Sequence, residues 1–407
     1  MKRWNPPVEL TKKEQLVIKR LKRTRKLFGF LRLHRHELFD ETFQGDLEGL
    51  YRDTGAGEAP VTPALLAMAL ILQGYLGVSD AEAVELTVVD LRWQLVLGCM
   101  GAEEPAFAQG TLQQFRERLI AADMDRRLLE RTVELARKTR EFDWKKLPKS
   151  LRLAVDSRPL EGAGRVEDTF NLLGHAARKI VECAAALTER TKEDICREAG
   201  IPLLLHSSIK AGLDINWSDR MQKEDAIETL AEQVTSLHRW VEEKRLAIEE
   251  PLKPYIGALV QVRTQDLETT RGGKVQIRRG VAEDRRVSIE DAEMRHGRKS
   301  KSKRFNGFKA HVATDLDSKL IVGCAVTPAN RPEDEAAPQL EGDIRRLYDR
   351  IGELAIDRAY VNSTLARSVQ EQGGEVIAKP WALRNSKPEL FNKADFKINL
   401  PEKSVTC

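Results

Sequence analysis

Two short apolar runs, far apart in the chain, end in the same way. Leu151–Val155 is followed by Asp156, and Glu353–Ile356 is followed by Asp357. The first reads LRLAVDS and the second ELAIDRAY, near-copies in pattern. The Asp156 run alternates little, as expected of a strand covered on both faces. The stretch from Phe305 to Tyr360 extends the pattern. FNGFKAHVATD and the run from Lys319 read as two strands joined by a polar turn around Asp315, Asp317 and Ser318. Glu333–Arg350 reads as a helix, and the strand that delivers Asp357 follows it. The chain is therefore expected to be α/β, with a carboxylate at the tip of each of two strands. Either Asp alone is more simply a turn residue or a cap; their pairing argues for a site.

A chain of 407 residues predicts two or three domains. Charged residues make up 32%, which suits long solvated helices or a polyanionic partner, while the net charge of only +4 makes their placement matter more than their sum. Five scattered cysteines form no metal pattern and read as reduced thiols of a cytoplasmic protein. The N-terminus lacks the apolar core of a signal peptide. No run approaches the roughly 18 apolar residues of a membrane span, so Pro63–Leu76 reads as a buried helix.

In chain order, residues 1–145 read as a helical domain. Lys12, Lys13, Lys19, Arg20, Lys22, Arg23, Arg25, Lys26, Arg32 and Arg35 crowd its front, interleaved with Leu and Phe at roughly helical spacing. A basic helix of this kind can lie on phosphates. Thr62 before Pro63 and then Ser79 look like helix caps. Residues 79–98 read as one helix ending at Gly98, and a third starts at Gln109 or Thr111. Residues 165–250 read as a long helical insertion after the first strand, with His175, His206 and His238 isolated in it. Residues 256–304 read as mixed and polar, with two possible short strands. They end in a basic cluster of Arg295, Arg298, Lys299, Lys301, Lys303 and Arg304, with Lys309 just beyond. Gly and Ser between these charges suggest a loop that would neutralise DNA phosphates with little sequence reading.

Several of these stretches resemble one family. APVTPALLAMALILQGYLGVSDAEAVELTVVDLRWQLVLG followed by TLQQFRERL looks like the InsH-type N-terminal domain of bacterial insertion-sequence transposases. Gly162, Ala163 and Gly164, then Asp168, Thr169 and Asn171–Gly174, resemble the pattern that follows the first Asp in the insertion-sequence group numbered eleven eighty-two. Asp291, Glu293, Arg295, Gly297 and Lys299 fit its D-x-E-x-R-x-G-x-K. Gly307, Phe308, Lys309 and His311 fit its G-[FY]-K-x-H, and Thr327, Pro328 and Asn330 its T-P-x-N. The resemblance implies a DDE transposase with a ribonuclease-H-like core over residues 150–407. Asp156 and Asp357 would be its first two catalytic, metal-binding aspartates.

That implication agrees with the chemistry of the residues. Cutting and joining DNA is in-line phosphoryl transfer, which two divalent ions can assist. Mg²⁺, or Mn²⁺ in its place, prefers carboxylate oxygens. The family further implies double-stranded DNA partners, element ends and target, and a homo-oligomer, with no membrane. Its third carboxylate, a Glu on a helix, lies beyond the phrase ending V-T-C, where this sequence stops. Glu371, Glu375, Glu389 and Glu402 are left unassigned to that role. The expectation is a C-terminally truncated transposase that binds DNA and cuts it poorly. The alternatives are a catalytically dead DNA-binding remnant, or inhibitor of an intact enzyme, and a metal-dependent nuclease on the same core.

Overall fold

Thr62 hands the chain to Pro63 at the first position of a helix, where a missing N–H costs nothing. The apolar run behind it is buried, as its composition requires. So begins the buried central helix of the first compact unit in the computed structural model, which describes residues 3–22, 25–51, 59–138, 150–299, 302–379, 391–392, 395–399 and 401–406. Eight helices precede the first strand among these residues: α1 (Lys12–Arg20), α2 (Arg25–Leu38), α3 (Glu41–Glu48), α4 (Pro63–Leu76), α5 (Asp80–Val89), α6 (Leu91–Leu97), α7 (Gln109–Ala121) and α8 (Met124–Lys138). Ser79 caps α5 in a capping box: its hydroxyl accepts from Glu82 N at 3.2 Å, and its own N–H donates to Glu82 Oε2 at 2.9 Å. The single helix expected over 79–98 is two. Asp90 breaks it, because its carboxylate accepts from Arg92 N at 2.7 Å and caps α6 instead.

These helices pack around Phe28, Phe43, Leu66, Met68, Trp93 and Phe115. They form one compact unit that also takes in residues 314–323 and 343–349. Within it, Arg126 meets Asp343 at 2.9 Å and Arg346 meets Asp123 at 3.0 Å. Arg32 and Arg35, which the sequence groups with the DNA-facing basic stripe, are buried here. Arg32 pairs with Glu14 at 2.6 Å. Arg35 donates to the carbonyls of Leu95 and Val96, orphan acceptors at the end of α6. No helix among the described residues is long and apolar enough to cross a membrane.

The second unit holds most of the rest. It begins in β1 (Leu151–Glu161) and continues through α9 (Thr169–Thr188), α10 (Lys192–Glu198), α11 (Ile209–Leu213), α12 (Arg220–Glu243) and α13 (Lys253–Asp266). Asp168 caps α9 through Asn171 N at 3.0 Å. The helical run therefore extends past residue 250. Its last helix, α13, places Ala258, Leu259 and Val262 on the face buried in the core. Leu172, Ile180, Leu230 and Val234 complete that core. A small antiparallel hairpin, β2 (Leu267–Thr269) and β3 (Val275–Ile277), follows.

Next come β4 (Arg295–Arg298), β5 (Arg304–Asp315), β6 (Ile321–Pro328), α14 (Ala337–Arg345), β7 (Ile351–Ile356), α15 (Thr364–Glu371) and β8 (Glu375–Ala378). One six-stranded sheet runs β4-β5-β1-β7-β8, with β6 also on β5. The sheet is mixed, since β4 is antiparallel to β5 and β7 parallel to β8. The fold is thus α/β, as expected. The helix expected over Glu333–Arg350 is shorter, a 3-10 turn over Glu333–Ala336 and then α14. A two-stranded pair, β9 (Lys397–Asn399) and β10 (Ser404–Thr406), stands apart from this sheet.

Candidate active site

Asp156 lies inside β1, not after its end, for the strand runs on to Glu161. Its first half alternates as a core strand does, with Leu151, Leu153 and Val155 buried. From Asp156 onward no residue of it is buried, so the carboxylate sits where the strand leaves the core. The second half is held by β5: Gly162 N donates to the carbonyl of Asn306 at 2.9 Å. Gly307 makes that approach possible. It has φ of 141°, and a Cβ there would fall 2.3 Å from Gly162 N.

Asp357 follows β7 directly and caps the 3-10 turn Arg358–Tyr360. The two aspartates share a local device. Asp156 Oδ1 accepts from Ser157 N at 2.8 Å, and Asp357 Oδ1 accepts from Arg358 N at 2.7 Å. Each carboxylate is fixed by the next peptide, and each residue is exposed. β1 and β7 are neighbours in the sheet. Arg152 and Glu353, one from each, pair at 3.1 Å.

Both aspartates line one cleft of about 240 Å³, together with Ser157, Arg298, Lys299, Lys309 and Glu333. Of the basic cluster, then, Arg298, Lys299 and Lys309 are brought to the aspartates. Lys309 donates to the carbonyl of Arg331 at 2.6 Å and stands 4.0 Å from Glu333. Lys303 and Arg304 are exposed and lie outside the lining of this cleft. Lys301 falls outside the described residues. Arg295 is buried, paired with Asp284 at 2.8 Å and bonded to the carbonyls of Ala292 and Met294. Its guanidinium holds the Asp284 carboxyl below the usual range. The cluster is also less of a loop than its composition suggests, because residues 295–298 are β4, paired with β5.

Glu333 is the site residue that sequence reasoning missed. It opens the turn after β6, one residue before Asp334. Glu371, Glu375 and Glu402 are not among the described residues lining the cleft, and Glu389 lies outside the described residues.

Behind the carboxylates runs a buried chain of hydrogen bonds. The Ser157 side chain bonds the phenol of Tyr360. The phenol is 2.6 Å from His311 Nδ1, and His311 Nε2 is 2.9 Å from Thr327 Oγ1. Burial pushes the Tyr360 phenol up, helped by the negative charges of Glu333, Asp156 and Asp357. Burial first, and then the charge of Lys309, hold the His311 imidazole down to about 4. At neutral pH the chain is therefore uncharged, and it ties β1, β5, β6 and the turn after β7 together. The remaining motif residue, Asn330, donates to Asp284 at 3.0 Å. His311, Thr327, Asn330 and Gly307 thus build the scaffold behind the cleft and do not line it.

The chemistry of the donor set suits a hard divalent ion, which takes carboxylate oxygens and keeps open positions for substrate. Asp156 and Asp357 have no ion pair with a cationic side chain among the described residues, so their outer oxygens remain available. A ready three-ligand cluster is absent among the described residues.

Two segments of the chain match known families. Residues 265–399 match the model of the transposase DDE domain, a range that includes Asp357, Glu333 and the basic side chains of the cleft but not Asp156. Residues 20–118 match the model described as transposase domain (DUF772). No curated protein and no solved structure shows significant similarity to the chain. The two matched segments, one in each part of the sequence, support an insertion-sequence transposase of the DDE type.

Proposed function

We propose that this chain is the transposase of an insertion sequence, with a ribonuclease-H-like core that cleaves DNA at the element ends and joins them to a target. One observation carries the reading. Asp156 and Asp357, from strands adjacent in the sheet but distant in sequence, line a single cleft with Arg298, Lys299 and Lys309. Anionic ligands for metal and cationic groups for phosphate then meet in one place. Asp156 and Asp357 would hold Mg²⁺ or Mn²⁺, with Glu333 a further carboxylate in the lining of the cleft. Bound there, the metal would activate the attacking oxygen and stabilise the leaving one. Arg298 and Lys299 would grip the flanking phosphates, Arg by its planar fork and Lys as a point charge. The outlying Lys303 and Arg304 would extend that grip, whereas Arg295 is committed to Asp284. Double-stranded DNA is the partner this reading requires, and synapsis of two ends would call for more than one copy.

A cleavage assay tests the reading, with duplexes carrying the element's ends and Mg²⁺ or Mn²⁺ present. Asp156→Ala and Asp357→Ala are expected to reduce cleavage to background while duplex binding persists. Undiminished cleavage in either variant would remove that residue from the site. A second reading is favoured by the lack of a three-ligand cluster among the described residues: a chain that occupies element ends without cutting. It predicts that the unsubstituted protein binds duplex and shows no metal-dependent cleavage.

A further inference from the structure

The second unit carries a larger groove, about 770 Å³, walled by α12, α13 and the β2–β3 hairpin. Leu267 and Val275 give it apolar surface, and Arg239, Arg263 and Arg278 reach into it; the hydroxyls of Thr235 and Thr264 donate back to the carbonyls of Ala231 and Val260. None of these three arginines has a carboxylate partner among the described residues. Cations around them do. Arg285 pairs with Asp266 at 2.6 Å, Arg220 with Glu224 at 2.7 Å, and Lys274 lies 3.8 Å from both Asp225 and Glu228. The hairpin adds to the imbalance. Residues 267–280 hold Arg271, Lys274, Arg278 and Arg279 against Glu268 alone, four positive charges less one negative.

Two carboxylates, Glu232 and Glu268, also face the groove. Glu268 already accepts from Gln276 at 2.7 Å. With three arginines against two acids, the walls gain little from a compact polyphosphate, whose charges would crowd both signs at once. A nucleic-acid backbone spaces its charges one per nucleotide, so a phosphate can meet each arginine fork while sugars cover the apolar surface.

We propose that this groove is a second DNA-binding surface, carried by the helical insertion, that takes the sugar–phosphate backbone of a duplex without reading its sequence. The inference rests on the DNA-handling function above. Its test is the binding of a duplex of arbitrary sequence, without divalent metal, followed by fluorescence anisotropy across a KCl series. Each phosphate that an arginine no longer neutralises flattens the slope of log affinity against log salt by about 0.9. The triple variant Arg239→Ala/Arg263→Ala/Arg278→Ala should therefore flatten the slope by about 2 to 3. The corresponding Arg→Lys triple should keep it. If the alanine triple fails to fold by circular dichroism, Arg278→Ala alone, on the exposed hairpin, should flatten the slope by about 0.9. An unchanged slope and affinity in a folded variant overturn the proposal. Cleavage that depends on Asp156 and Asp357, with an unchanged slope in the groove variant, would remove the groove alone. A chain that binds no duplex at all would remove both.

Discussion

His311 shows how one side chain couples the site to the stability of the sheet. It is wholly buried, and its imidazole is held down to about 4 from an ordinary 6.5. In the folded protein it takes its proton later than in the unfolded chain. Between pH 6.5 and 4 the unfolded state therefore binds more protons, and stability that is fully present above 6.5 is lost as the pH falls toward 4. The shift corresponds to something on the order of 3 kcal/mol. Urea denaturation at pH 7, 5 and 4 should show this acid loss in the unsubstituted protein. In His311→Asn it should be shallower by that amount, although the variant is less stable at pH 7 because Tyr360 and Thr327 lose a partner. Parallel acid limbs in the two proteins would mean that His311 is not the group responsible.

At the scale of elements, the pairing of β1 with β5 fixes where Asp156 stands. Gly307 has a φ that other residues rarely adopt, and a Cβ there would meet Gly162 N at 2.3 Å and Leu160 O at 2.4 Å. Both atoms are backbone, so nothing flexible can give way. Gly307→Ala should cost about 2–4 kcal/mol by combining strain with displacement of β1. Cleavage should fall with it, since the end of β1 that carries Asp156 moves. Chemical denaturation checks the first expectation, and a loss under about 0.5 kcal/mol would count against the packing described here. This pairing was only partly legible in the sequence. The apolar runs marked both strands and put the aspartates at the edge of the core. The continuation of β1 past Asp156 was hidden because SRPLE lacks strand periodicity and contains Pro159; pairing with β5 supplies what local propensity does not. Glu333 was illegible for another reason. Its place beside Asp156 depends on how distant strands are ordered in the sheet. Arg32, Arg35 and Arg295 read as charges for DNA phosphates because the carboxylates and carbonyls that bury them lie far off or carry no pattern of their own.

Among the described residues, two apolar clusters share no residue, and each falls in one compact unit. The first gathers around Leu66, Met68 and Trp93, and the second around Leu172, Leu230 and Leu259. The first is not simply an N-terminal domain, because residues 343–349 join it through Asp343 on Arg126 and through Tyr348, whose ring lies 4.9 Å from the Arg137 guanidinium. A unit completed by distant chain cannot finish folding until that chain is made, which argues for late consolidation of the first core. Two cores that share no buried residue should also unfold as two cooperative events, and one stability cannot describe them both. Leu66 and Leu230 are both fully buried, so truncating either to Ala should cost about 2–5 kcal/mol in its own core. Scanning calorimetry should then resolve two transitions, with Leu66→Ala lowering one and Leu230→Ala lowering the other. A single transition lowered equally by both would show that the cores are energetically one.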